Sequence, residues 1–238
     1  MTAARRAGVA CARGEWVMFV DADDTIEPDA LGMLMARATP DTDMVISDSR
    51  IDGDITPDTC RRSILSTGLF PTGPVGKLIR RSLFGSSHVL DIPREIVRGE
   101  DMLMLLRLSY EAKGRIRLLK DSFYNYRMND AQVTRTFATS SAFEQMFYVQ
   151  LLRSFPASDI ARYTAALIEN RISAVELILL GLRRTADTGF RRSAWYRTLQ
   201  ADIKAAGYRR TLWQWTVMNL AGAHTIRPLR LIKEKLFG

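Results

Sequence analysis

Five apolar residues in succession, Trp16-Val17-Met18-Phe19-Val20, run straight into the carboxylates of Asp21-Ala22-Asp23-Asp24. An unbroken apolar run of this length, closed by polar residues, reads as a strand buried on both faces rather than as an amphipathic helix. Strands of that kind belong to α/β sheets covered by helices, and such sheets bind ligands beyond the C-terminal ends of their strands. The three aspartates therefore stand where an open α/β fold carries its chemistry.

The sequence around this run keeps to the same plan. Pro28 suits the first turn of a helix started by Thr25 or Glu27, with Leu31, Leu34 and Met35 on its inner face. Met44-Val45-Ile46-Ser47 reads as the next strand, and strand, helix, strand at this spacing is an α/β pattern. Asp, Thr, Gly and Pro crowd the stretch from Ile51 to Pro74, which predicts an irregular loop with a short strand around Ile64 and Leu65. A helix is expected from Gly99 through Met102, Leu105 and Leu106 to Gly114, then short strands at Ile116 and Leu118 and at Phe123 to Tyr126.

Beyond Ser140 the pattern is helical. Ala165, Ile168, Ile172, Val175, Leu179 and Leu182 form one face of a long helix begun by Ser158-Asp159. Ser193 to Ala206 suits a second helix stopped by Gly207, and shorter amphipathic pieces cover Leu212 to Leu220 and Pro228 to Phe237. The natural boundary lies near Phe137 to Ala142, which predicts an α/β domain over residues 1–137 and a helical region over 138–238.

Charge divides along the same line. The 238 residues carry 34 Lys+Arg and 26 Asp+Glu, a net charge of +8. Twelve of the basic residues but only three acids fall in 183–238, a local charge of +9, so residues 1–182 carry −1. With Trp195, Tyr196, Tyr208, Trp213 and Trp215 interspersed, that segment suits an anionic membrane surface. A solvated helical face accounts for it equally well, and without a recognisable binding motif nucleic acid is not expected as a partner.

Cys11 and Cys60 provide no disulfide framework, and with only His88 and His224 beside them a Cys/His zinc site is not expected. Met1 to Ala12 has no sustained apolar core, so no signal peptide is read there. The longest apolar stretches, such as Val217 to Ala223, fall far below the roughly 18 residues of a membrane span. The expectation is a cytoplasmic protein, soluble or peripheral at the inner membrane face.

Carboxylates at the first and third positions after a strand, here Asp21 and Asp23, can converge on one divalent cation. A set of oxygen ligands alone favours Mg²⁺ or Mn²⁺. Aspartates at a strand-to-helix turn also cap backbone N–H groups. Capping explains one aspartate easily and three in four positions poorly; Asp24 is expected to be the capping one.

The segments Ala4-Arg5-Arg6-Ala7-Gly8, Gly14-Glu15-Trp16 through Asp24, and Pro28-Asp29-Ala30-Leu31 together resemble the middle of a family 2 glycosyltransferase. Lys77-Leu78-Ile79-Arg80-Arg81, the acidic pair Glu100-Asp101, and Tyr124-Asn125-Tyr126-Arg127 with Thr134-Arg135 extend the match in consistent order from about Ala3 to Phe137. The resemblance implies a partial GT-A domain, Rossmann-like, followed by the helical region.

It also implies that Asp21 and Asp23 act through Mg²⁺ or Mn²⁺ on the diphosphate of a nucleotide-sugar donor, with Asp21 contacting the donor. Asp101 is then the base for a saccharide or lipid-linked acceptor, and Glu100 orients Asp101 or contacts the acceptor. Glu100 and Asp101 would alternatively be helix N-terminal acids stabilised by the helix dipole. Lys77 and Arg80 either contact donor phosphate or are solvated. By analogy the reaction inverts the anomeric centre and serves cell-envelope or exopolysaccharide synthesis. The family's opening strands, which build the nucleotide-base pocket, have no counterpart before Met1, so poor donor binding by this chain alone is expected.

Two other classes compete. Asp21-Ala22-Asp23-Asp24-Thr25 also fits the Asp-x-Asp-x-Thr pattern of haloacid-dehalogenase-like phosphatases, although that pattern explains none of the flanking segments. A non-catalytic transferase remnant, acting as a membrane-binding module through its basic tail, is the other.

Overall fold

The computed structural model of the chain describes residues 2–127, 137–185, 187–222 and 224–237. Two compact units emerge, residues 1–132 and 133–238, and the division between them, like Thr134 and Arg135, lies outside the described residues.

The first unit opens with helix α1 (Thr2–Cys11) and a five-stranded sheet built from β1 (Trp16–Met18), β3 (Thr42–Ile46), β4 (Gly53–Ile55), β5 (Lys77–Arg80) and β6 (Arg115–Leu118). Across the sheet the order is β1-β5-β3-β6-β4. β3 and β6 pair in parallel, whereas β5 runs antiparallel to both β1 and β3, and β4 antiparallel to β6. The C-terminal ends of β1, β3 and β6 and the N-terminal end of β5 thus share one edge of the sheet. A two-stranded ribbon, β2 (Thr25–Ile26) with β7 (Tyr124–Asn125), lies apart from this sheet, and helices α2 (Ala30–Met35), α3 (Pro57–Arg62) and α4 (Glu100–Glu111) complete the unit.

Several sequence expectations change here for identifiable reasons. β1 is an edge strand, so the apolar run is only partly buried: Val17 faces inward, while Val20, after the strand has ended, is exposed. Thr25, expected at a helix start, belongs to β2, and the following helix buries Ala30 and Leu34 but leaves Leu31 and Met35 exposed, because only one narrow face of a helix this short reaches the sheet. Met18, Leu78 and Val45 sit side by side in register, and Leu34, Ala30, Leu119 and Phe123 close over them.

The expected loop over 51–74 contains β4 and α3. Pro57 occupies the first turn of α3, the Thr56 hydroxyl accepts the Thr59 N–H at 3.2 Å, and a π-helical turn at Ser63–Thr67 buries Ile64 and Leu65 in place of the expected strand.

The second unit is helical throughout its described elements: α5 (Ser141–Arg153), α6 (Thr164–Thr185), α7 (Ala194–Ala205), α8 (Leu212–Asn219) and α9 (Ile226–Phe237). α6 begins six residues later than its expected Ser158 start, because a 3-10 helix, Ala157–Tyr163, precedes it. The face of Ile168, Ile172, Val175, Leu179 and Leu182 packs with Trp195, Leu199, Val217 and Ile226 into one core, and Ala166 rather than Ala165 lies buried. Each fully buried leucine or isoleucine there contributes about 1.5–3 kcal/mol. Arg171 is sealed into this unit, donating to Trp195 O and Thr198 Oγ1 at 2.7 Å each and to Asp202 Oδ2 at 2.5 Å, with its guanidinium over the Tyr148 ring.

Candidate active site

The shared sheet edge gathers most of the predicted chemistry. β1 delivers Asp21 through the two residues that follow it, and Phe19 still bridges to Val75 on the approach to β5. Ala22 and Asp23 then form a turn, closed by the Asp24 N–H donating to Asp21 O at 3.1 Å. Asp101 enters from the first turn of α4, which Gly99 starts in a left-handed conformation (φ 82°) that favours glycine.

The residue that joins these elements is Arg5. It lies on α1, is only 8% exposed, forms an ion pair with Asp101, and holds its second nitrogen 3.9 Å from Asp21 Oδ1. The sequence sets Arg5 among the matching residues without giving it a role, since the Arg5-Arg6 pair shows no period that marks one of the two as buried. The structure separates them: Arg5 turns inward, and Arg6 donates to Leu90 O at 2.7 Å from an exposed position.

Burial pushes the Asp21 carboxyl above the usual aspartate range; Arg5 opposes the shift, while Asp101, Asp24 and Asp23 add to it. Glu100 is buried and likewise raised, first by burial and then by Asp101. Burial leads both shifts, and Asp101 adds to each.

Asp24 does a different job from its neighbours. Its Oδ2 accepts the Tyr124 hydroxyl at 2.6 Å and its Oδ1 accepts the Arg127 N–H at 2.8 Å, while the Tyr124 hydroxyl accepts the Asp21 N–H at 3.0 Å. Burial, followed by this bond to Asp24, raises the Tyr124 phenol well above its ordinary range. The expected structural role of Asp24 therefore takes the form of a clasp onto β7. Tyr126 stacks edge-on against Tyr124, stays 60% exposed, and its phenol is raised by partial burial and by Asp21, Asp24 and Asp101.

Lys77 lies at the same edge but is not solvated. Only 1% exposed, it makes one long hydrogen bond, 3.3 Å to Val75 O, and burial lowers its amine to about 8, against the opposing pull of Cys60, Asp101 and Asp48. Gly76 permits this placement, because its φ of 65° and the 2.9 Å that would separate a Cβ from Ser47 Oγ both disfavour any side chain. Arg80 is not brought to the cluster. It pairs with Trp16, at the far end of β1 from Asp21, and its guanidinium is occupied by Thr42 O at 2.9 Å, Pro40 O at 3.2 Å, Glu15 and the face of Trp16. Arg80 is thus not solvated but ties β5 to the loop before β3.

Among the described residues no group of three Asp, Glu, His or Cys side chains is arranged to hold a metal ion by itself. A Mg²⁺-type ion does not require one, since it is commonly held by one or two carboxylates together with substrate phosphates and water. Asp21, with its side chain 39% exposed, and the exposed Asp23 fit that donor set.

Comparison with known proteins bears on the family and the fold. Residues 1–92 match the sequence model of glycosyl transferase family 2. The chain is 29% identical over 152 residues to the putative glycosyltransferase EpsH of Bacillus subtilis strain 168, covering 57% of this chain and 44% of EpsH. It therefore spans less than half the length of that relative. The fold is similar to that of S. aureus TarS residues 1–349, solved in complex with UDP-GlcNAc, with a TM-score of 0.51 and 17% identity over 87% of this chain and 72% of TarS. Residues 1–92 are thus similar to glycosyl transferase family 2, and the fold is a GT-A-like α/β sheet with a helical region following it. The family match includes Asp21 to Thr25, the residues on which the phosphatase reading rested.

Proposed function

We propose that this chain transfers a sugar from a nucleotide-diphospho-sugar donor to a hydroxyl of a saccharide or lipid-linked acceptor, in cell-envelope or exopolysaccharide synthesis. The observation that carries the reading is the convergence of Asp21, Asp101 and Arg5, from β1, α4 and α1, at the ligand-binding edge of the sheet. The names of the relatives support it: EpsH is described as a putative glycosyltransferase, and TarS was solved with UDP-GlcNAc, which makes UDP-linked sugars the first donors to try.

In this mechanism Asp101 accepts the proton of the acceptor hydroxyl as that oxygen attacks the anomeric carbon. The bond from that carbon to the donor phosphate breaks, and the nucleoside diphosphate departs. A single displacement of this kind inverts the anomeric centre. Mg²⁺ or Mn²⁺, held by Asp21 and Asp23, would supply charge neutralisation to the departing diphosphate.

Arg5 fixes the direction of the Asp101 carboxylate, and Glu100 adds negative potential beside it. The Tyr124–Asp24 clasp holds the Asp21 N–H and so fixes the turn. Lys77 adds positive potential behind the cluster, close enough to sense Asp101. The proposed location is the cytoplasm, with peripheral attachment to the inner membrane face through residues 183–238. Among the described residues no helix is long and apolar enough to cross a membrane.

The test is sugar transfer from UDP-linked donors by wild type, Asp23→Asn and Asp101→Asn. Loss of about 100-fold or more in each variant, with folding retained, is expected. Unchanged transfer in either would remove that residue from the site.

A further inference from the structure

The basic second unit contains far fewer membrane-facing aromatics than its composition suggests. Trp195 and Tyr196 are buried in the core, and Trp213 is partly buried, donating its indole N–H to Glu176 at 3.1 Å. Arg171 is buried, and Arg191 caps carbonyls of Val217, Met218 and Ala221. Among the described residues the exposed apolar side chains of this segment are concentrated on or beside two helices that both pack against α6, namely α8 and α9, while the exposed cations are divided between α9 and Arg192, Arg197, Lys204 and Arg209.

Their inner faces are spent on the core: Val217 and Met218 from α8 and Ile226 from α9 are buried. The outer face of α8 is apolar, and that of α9 is apolar and basic. On α8, Leu212 and Trp215 lie one turn apart and are 78% and 42% exposed; Leu220, just beyond the helix, is 64% exposed. On α9, Arg227, Leu231 and Lys235 recur at four-residue steps, and Leu231 is 60% exposed between its two cations. Lys233 stands 5.0 Å above the partly buried Trp213 ring, on the side of α9 that also carries buried Ile226, so the two helices are neighbours.

We infer that the outer faces of α8 and α9 form one docking surface for an anionic lipid bilayer, with Leu212, Trp215, Leu220 and Leu231 entering the interface and Arg227 and Lys235 meeting the headgroups. Charge complementarity selects this occupant. An exposed indole beside leucines in a segment of charge +9 matches an anionic interface, whereas two copies of the same basic face would repel each other. The inference deepens the proposed peripheral attachment, but it stands on the second unit alone and requires no turnover.

The experiment uses the full chain with vesicles of phosphatidylglycerol and phosphatidylcholine, and with phosphatidylcholine alone. Wild type should co-sediment with the anionic vesicles, with binding weakened by salt, and brominated lipid should quench its tryptophan emission. Trp215→Phe should keep most of the binding and lose most of the quenching. Leu212→Glu combined with Trp215→Glu, and separately Arg227→Glu combined with Lys235→Glu, should each lower the bound fraction about tenfold with unchanged circular dichroism.

Absence of binding to anionic vesicles, or binding indifferent to both double variants, would overturn the proposal. So would a dimer in sedimentation equilibrium that the Leu212→Glu/Trp215→Glu variant dissociates, since the face would then belong to a second copy. Donor titration of the same samples reads the transferase assignment independently, so failure of one leaves the other standing.

Discussion

The guanidinium of Arg5 is shared between Asp101, 96 residues away in the sequence, and Asp21, so that a single buried cation holds the proposed base and the proposed donor-side carboxylate at a fixed separation. Arg5→Ala should therefore lower transfer by about 100-fold while costing only about 1–3 kcal/mol of stability, because both aspartates keep partial access to water. Arg5→Lys should recover part of the activity, since it restores the charge without the two-armed geometry. A steady-state comparison of the two variants, with thermal melts, checks this; equal activity in wild type and Arg5→Ala would refute the positioning role.

The raised carboxyls of Asp21 and Glu100 carry a definite sign. A folded-state pKa above the unfolded value means that the favourable contribution is fully present below the unfolded pKa and disappears as pH rises through the folded one. At neutral pH both groups therefore strain the fold, so Asp21→Asn and Glu100→Gln should melt at the same temperature as wild type or a few degrees higher at pH 7. Their advantage should vanish near pH 4, the ordinary carboxylate range. Scanning fluorimetry across pH would detect this, and a clear loss of melting temperature in both at pH 7 would contradict it.

Lys77 titrates in the opposite sense. With its amine lowered to about 8, the folded chain releases this proton before the unfolded chain does, so the cost of burying the charge is complete below about pH 8 and disappears towards 10.5. Lys77→Met should stabilise the fold by about 1–3 kcal/mol at pH 7, with the gain shrinking by about pH 10. Urea titrations at the two pH values measure it. If the substitution destabilises the fold at pH 7, the positive charge is being held by stronger partners than burial implies.

Tyr124 and Asp24 close the turn that carries Asp21. Tyr124→Phe removes one hydroxyl that both donates to Asp24 and accepts from Asp21, and it should cost about 1–2 kcal/mol. The same substitution should weaken donor affinity more than it lowers turnover of bound substrate, because it loosens the donor-side carboxylate and leaves Asp101 in place. Denaturant melts and separate determination of kcat and KM test both parts.

The fold was legible where apolar pattern and turn residues agreed. The strand before Asp21, the strand at Met44 to Ile46, and the helices begun at Gly99 and Ser193 all emerge in the structure because their periodicity is undisturbed by tertiary demands. β5 was less visible: Lys77 opens it, and a lysine that is almost fully buried violates the pattern by which core strands are recognised. α3 was hidden among Pro, Asp and Thr residues that signal a loop, although Thr56-Pro57 supplied a cap and a first turn.

At the site, adjacency in sequence made Asp21, Asp23 and Asp24 conspicuous, and the resemblance singled out Glu100 and Asp101. Arg5 could not be found that way, since its partners are brought to it only by the fold. Arg80 shows the converse: a basic residue in a matching segment whose hydrogen bonds are consumed by backbone carbonyls at the other end of the strand.

Calorimetric titration with UDP-linked sugars, with Mn²⁺ present and absent, tests the central claim most directly. Weak but saturable, metal-dependent binding to the wild-type chain, abolished in Asp21→Asn, is the predicted result. Absence of binding by folded wild type, or binding that Asp21→Asn leaves unchanged, would contradict the assignment of this sheet edge as the donor site.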